Sequence, residues 1–184
     1  MRYVLSALFL AAIAFVAGCG GKDAATQKTA PAPARGSAAP ADVLPAGLML
    51  AAAPEGAKDV AAAKKGVKEG DEVILRGRVG GDAKVFVGGT MLMMDASMQS
   101  CDMKPDDHCE TPWDYCCDAP ETIQQNRALI QVVGADGKPL KATLEGRISP
   151  LDMVIVKGKV QKADEKNFIV NASGIYIEQK FKKG

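Results

Sequence analysis

Two heptapeptides from distant parts of the chain are near copies. Val73-Ile74-Leu75-Arg76-Gly77-Arg78-Val79 and Val154-Ile155-Val156-Lys157-Gly158-Lys159-Val160 agree in residue type at every position. In an extended chain successive side chains point to opposite faces. Val73, Leu75, Gly77 and Val79 therefore share one face, and Ile74, Arg76 and Arg78 the other. A glycine at the same place in both copies is the strongest constraint on the fold. Mid-strand glycine weakens a flat strand, but where a sheet coils into a small barrel it permits sharp curvature and close approach of another backbone. The intervening sequences do not match, which favours a shared structural need over a tandem repeat. The charged quartet Arg76, Arg78, Lys157 and Lys159 reads as the solvated exterior of half-buried strands.

Strand patterns extend over residues 72–79, 84–95, 127–133, 141–145, 153–162 and 167–178. Gly80-Gly81-Asp82, Asp136-Gly137 and Ala163-Asp164-Glu165 supply turn chemistry between them. A short helix is expected within 54–66, closed by Gly66, and another at 120–126 opening on Pro120. The expectation is a mainly β domain over 67–181, a five- to six-stranded small barrel with an insertion at 98–126. It is large enough for one core.

The opening G-D-x-V-x-x-x-G-x-V (Gly70, Asp71, Val73, Gly77, Val79) and the late V-x-V-x-G-x-V followed by F-x-V-x-A (Phe168 to Ala172) resemble the oligonucleotide/oligosaccharide-binding (OB) fold. In that fold the second and third strands with nearby loops form the usual ligand surface. The resemblance implies a face drawn from 84–95 and 127–133. Phe86 and Arg127 are candidate contacts there, with Trp113 and Tyr115 of the neighbouring insertion.

The N-terminus is a secretory signal: Arg2, an apolar run from Val4 to Val16, then Val16-Ala17-Gly18-Cys19. The run falls short of the roughly 20 residues that span a bilayer. Its last four residues, followed by Gly-Gly, resemble the lipobox of bacterial lipoproteins. The resemblance implies cleavage of residues 1–18 and diacylglyceryl lipidation of Cys19. Gly20 stands where an aspartate often favours inner-membrane retention in that family, which implies an outer-membrane anchor facing the periplasm. Residues 19–53, rich in Ala and Pro, read as a tether. Leu44, Leu48, Met49 and Leu50 interrupt it and are expected to dock on the chain's own domain.

The segment CDMKPDDHCETPWDYCCD, residues 101–118, holds four of the five cysteines, the only histidine and the only tryptophan. Six acids against Lys104 give it a formal charge of about minus five, so it needs cross-links or a metal to order it. With Cys19 consumed by lipid, Cys101, Cys109, Cys116 and Cys117 form an even set in an oxidising compartment. Two disulfides are expected, as Cys101–Cys116 with Cys109–Cys117 or as Cys101–Cys117 with Cys109–Cys116. The alternative is a soft-metal site for copper or zinc from Cys101, His108, Cys109 and Cys116, with Met98 and Met103. The cysteine spacing departs from the short chelating pairs common at zinc. The alternation of Met91, Met93 and Met94 also suits core packing. The acids lack the order of a calcium loop.

Beyond Cys19 basic and acidic residues balance, so there is no field to attract a polyanion, and nucleic acid is disfavoured. No C-x-x-C, haem-attachment or nucleophile–base motif is present, and no enzyme is expected. The reading is a lipid-anchored envelope binding or structural module, associated with the membrane and with an envelope protein as possible partner, with no cofactor other than the alternative metal.

Overall fold

The computed structural model describes residues 43–106 and 108–182. Cys19, the expected signal segment and the first part of the expected tether lie outside the described residues. In chain order the elements are β1 (Lys58–Asp59), α1 (Val60–Lys64), β2 (Glu72–Val79), β3 (Phe86–Val87), β4 (Thr90–Asp95), a 3-10 turn (Cys101–Met103), α2 (Pro120–Gln125), β5 (Arg127–Gln131), β6 (Met153–Ala163) and β7 (Phe168–Gln179). The sheet runs β1-β2-β6-β7-β5-β4-β3, and a further β2–β4 pairing closes it. Five strands, β2, β4, β5, β7 and β6, thus form a small OB-like barrel with β1 and β3 outside it. All its pairings are antiparallel except β5 with β7.

The near-copy heptapeptides pair with each other. β2 and β6 run antiparallel with Val73 opposite Gly158 and Gly77 opposite Val154. Both glycines admit a neighbouring strand. A Cβ on Gly77 would lie 2.4 Å from the Met94 carbonyl oxygen, and one on Gly158 2.4 Å from that of Asn171. The faces are as the alternation requires: Val73, Leu75, Val79, Val154, Val156 and Val160 are core residues, with Met91, Met93 and Ile130 from β4 and β5. Arg76 on the outer face is held by Glu178 at 2.8 Å, and Asp59 lies 3.6 Å from it.

The apolar end of the tether docks as expected. Met49 forms a parallel bridge with Ile175. Leu50 N donates to the Ile175 carbonyl at 2.8 Å, and Ile175 N to that of Leu48 at 2.7 Å. Leu48 is buried in the core, and this stretch lies beside β7 through a single isolated bridge.

Three elements differ from expectation. The strand expected over 84–95 is broken into β3 and β4, because Gly88 (φ 54) and Gly89 make a hairpin turn that lies against the Leu140 carbonyl. Residues 141–145 form no strand. Leu144 and Ile148 are buried there in an irregular segment, where burial comes from packing and not from a ladder. The helix within 54–66 is only the five residues of α1, and its first turn is capped from outside: Asp95 Oδ2, at the end of β4, accepts from Ala61 N at 2.7 Å. α2 agrees with expectation to one residue. Its last carbonyls, at Gln124 and Gln125, accept from Lys64 Nζ at 2.9 and 3.0 Å, a cation placed at the negative end of a helix.

Candidate metal centre

The insertion between β4 and α2 is built from overlapping turns. Cys101 opens the 3-10 turn, its N donating to the Pro112 carbonyl at 2.9 Å. Thr111 Oγ1 donates to Asp114 Oδ2 at 2.7 Å, and Asp114 Oδ1 accepts from Cys116 N at 2.9 Å. One carboxylate therefore fixes both sides of the bend that presents Cys116. Tyr115 sits between them with left-handed backbone (φ 61), unusual for an aromatic residue, and its ring is fully buried. Burial pushes its phenol up to about 12. The strained residue turns the chain from a buried ring to two exposed cysteines.

The loop is bolted to the barrel at the β2–β3 connection. Gly81 N donates to the Trp113 carbonyl at 2.7 Å, and the Trp113 indole donates to the Ala83 carbonyl at 3.2 Å. A Cβ on Gly80 would lie 2.6 Å from the Trp113 carbonyl oxygen, so the contact requires glycine. Met94, on the outward side of β4, is fully buried, and a Cβ on Gly81 would come within 2.6 Å of its sulfur. These connections draw the base of the insertion over one end of the OB-type face.

These turns bring four sulfurs together. The Sγ atoms of Cys101, Cys109, Cys116 and Cys117 all lie within 4.8 Å of one another. Cys101 is 4.0 Å from both Cys116 and Cys117, and Cys109 is 3.1 Å from Cys116. A disulfide needs about 2.05 Å. The two expected disulfides are therefore not formed: no pair is at bonding distance, and the four thiols make one cluster where two separate bridges were expected. The physical reason is the loop's turns: the Asp114–Cys116 bend through left-handed Tyr115 presents Cys116 and Cys117 together to Cys101 and Cys109, so the sulfurs converge on one place. Hydrogen bonding with Cys109 and Asp114 pushes the Cys116 thiol up.

The donor set fits a four-coordinate soft cation. Zinc(II) bound by four thiolates at about 2.3 Å has sulfur–sulfur edges of about 3.8 Å, and the cluster brackets that value. Cys101 is buried, Cys109 half-buried, and Cys116 and Cys117 exposed, so the group is closed on the barrel side and open to solvent on the other. Lys104 stands close by, 3.5 Å from Asp118, the one ion pair among the described residues of the loop.

The remaining site candidates are dispersed. His108 is exposed and is not in the thiol group. Met98 is half-buried, and Met103 lines a separate cavity beside Arg78. Cys117, left out of the metal set expected from sequence, lies in the thiol cluster; the vicinal Cys116-Cys117 pair was the available signal. Phe86 is half-buried against the core, and Arg127 Nη1 donates to the Gly81 carbonyl at 3.4 Å. With Tyr115 fully buried and the Trp113 indole turned to Ala83, these four make no shared stacking platform. On the OB-type face itself Leu92, Leu129 and Ile169 line up in register across β4, β5 and β7.

No family model, curated protein or solved structure matches the chain.

Proposed function

We propose that this is a lipid-anchored protein of the bacterial cell envelope whose OB-like barrel carries a tetrathiolate centre for a soft metal ion, with zinc(II) the ion best suited to it. The observation that carries the reading is the mutual approach of four sulfurs within 4.8 Å with no pair at bonding distance. A site of four thiolates arranged around a common centre is the donor set of zinc or iron–sulfur chemistry. The loop supports the same conclusion. Strongly acidic and short of apolar residues, it gains from a cation what a core would otherwise supply, because metal binding to such ligands is also folding free energy. The anchor rests on Val16-Ala17-Gly18-Cys19, whose lipobox resemblance supports an address outside the cytoplasm.

Elemental analysis of the purified full-length protein tests the metal. The expected content is one zinc per chain, lost in Cys101→Ser and Cys116→Ser and retained in His108→Ala, Met98→Leu and Met103→Leu. Absence of stoichiometric metal from protein whose loop thiols are reduced rejects the centre. Dependence on His108 or the methionines rejects the tetrathiolate in favour of a mixed copper-type set.

A further inference from the structure

The cavity beside Arg78 and Met103, of about 490 Å³, opens at the C-terminal end of β2, between the 149–152 turn and the end of β7. Three unusual features meet on its wall. The guanidinium Nε of Arg78 is buried without a hydrogen-bond partner among the described residues, and Nη1 makes a long 3.5 Å contact to the Leu151 carbonyl. Leu151 holds a left-handed backbone (φ 68), and Leu151 and Tyr115 are the only non-glycine residues of that kind among those described. Met103 and Phe181, 51% and 37% exposed, are two of the four large apolar side chains left in solvent among the described residues. An orphaned buried donor, a strained backbone and uncovered apolar surface are each uncommon, and strain of this kind concentrates at ligand sites.

The walls are preformed. Asp152, fully buried, accepts from Ser149 N at 2.9 Å and from Lys180 Nζ at 3.0 Å through Oδ2, and from Phe181 N at 2.8 Å through Oδ1. One carboxylate thus fixes both the turn and the C-terminal segment. It also neutralises Lys180. Arg78 and Lys182 remain, and among the described residues neither has a carboxylate within ion-pair distance. The cavity therefore offers two uncompensated positive charges on an apolar floor of Leu151, Met153, Met103 and Phe181.

We propose that this cavity binds a small amphipathic organic anion, its acidic head paired with Arg78 and Lys182 and its apolar body covering Met103 and Phe181. The volume lies within the roughly 300–1,000 Å³ of small-molecule sites. A carboxylate or phosphate head supplies the counter-charge that Arg78 and Lys182 lack, and charge-assisted bonds to guanidinium are the strong class. The site shares the Cys101–Met103 turn with the thiol cluster but uses none of its sulfurs.

Isothermal titration of the full chain with 4-phenylbutyrate and with phenyl phosphate tests the proposal, using 4-phenylbutanol, acetate and inorganic phosphate as probes of body alone and head alone. Saturable binding of one aryl anion per chain is expected, with the neutral alcohol and the bare heads weaker by about tenfold or more. Arg78→Gln, Phe181→Ala and Lys182→Ala should each weaken it, while Arg76→Gln, outside the cavity, should not. Phe181 and Lys182 are exposed, so their variants read the site even if Arg78→Gln misfolds. Equal binding of the alcohol, equal binding of inorganic phosphate, no saturable binding of either aryl anion, or indifference to the Phe181 and Lys182 variants overturns the proposal.

Discussion

Gly158 of β6 lies directly opposite Val73 of β2, and the same register sets Gly77 opposite Val154. The two near-copy segments are thus joined by a local pseudo-twofold, each supplying a glycine at the point where a third strand presses in. Gly77 admits β4 and Gly158 admits β7. Replacing either by alanine puts a methyl group against a backbone carbonyl that cannot yield cheaply. Gly77→Ala and Gly158→Ala should each cost about 1–3 kcal/mol or more, read as a lowered urea midpoint. A midpoint unchanged in both would mean that the barrel does not close as described.

The core face gives a sharper test. Val73 and Val156 both point inward, with Val156 fully buried. Val73→Asp and Val156→Asp should abolish cooperative unfolding, because an unpaired buried carboxylate costs several kcal/mol against a total of about 5–15 kcal/mol. Far-ultraviolet circular dichroism during thermal unfolding checks it, and native-like transitions in both would show the wrong face assigned.

The barrel was legible because alternation and the paired glycines are local signals, and β2 spans the residues its pattern indicated. Pro120 likewise marked the start of α2. What could not be read depended on partners remote in sequence. The cap on α1 comes from Asp95, 34 residues away, so nothing near Val60 announces where the helix begins. Residues 141–145 alternate like a strand, yet the strands already close the barrel among themselves and Leu144 packs as an irregular plug. At the site, the cysteine-rich segment stood out by composition, but its even count suggested pairs. The turns at Asp114 and Tyr115, which bring all four sulfurs to one place, have no signature in residue spacing.

Asp95 links the sheet to α1 and carries a pH dependence. Burial pushes its carboxyl up, but hydrogen bonds from Ser97 and Ala61 N outweigh that and hold it below the ordinary value. A depressed folded-state pKa stabilises the fold above the unfolded pKa of about 3.9, and the contribution disappears as pH falls through the folded value. Asp95→Ala should therefore destabilise by about 1–3 kcal/mol at neutral pH. The gap to wild type should narrow in strongly acidic buffer. Denaturation curves at the two pH values check both statements; a gap that widens on acidification contradicts the assignment.

The anchor is tested separately from the barrel. Cys19→Ala should abolish acyl mass and partitioning into the detergent phase. A wild-type protein that stays in the aqueous phase without acyl mass would reject the lipoprotein reading.

The most direct measurement of the central claim is alkylation of the unreduced, denatured protein before and after treatment with a strong chelator, read by mass spectrometry beside the metal content of the native sample. A tetrathiolate centre predicts one zinc per native chain and four alkylated loop cysteines, Cys101, Cys109, Cys116 and Cys117, once the metal is removed. Four cysteines that resist alkylation until a reductant is added, in protein without metal, would show two disulfides and contradict it.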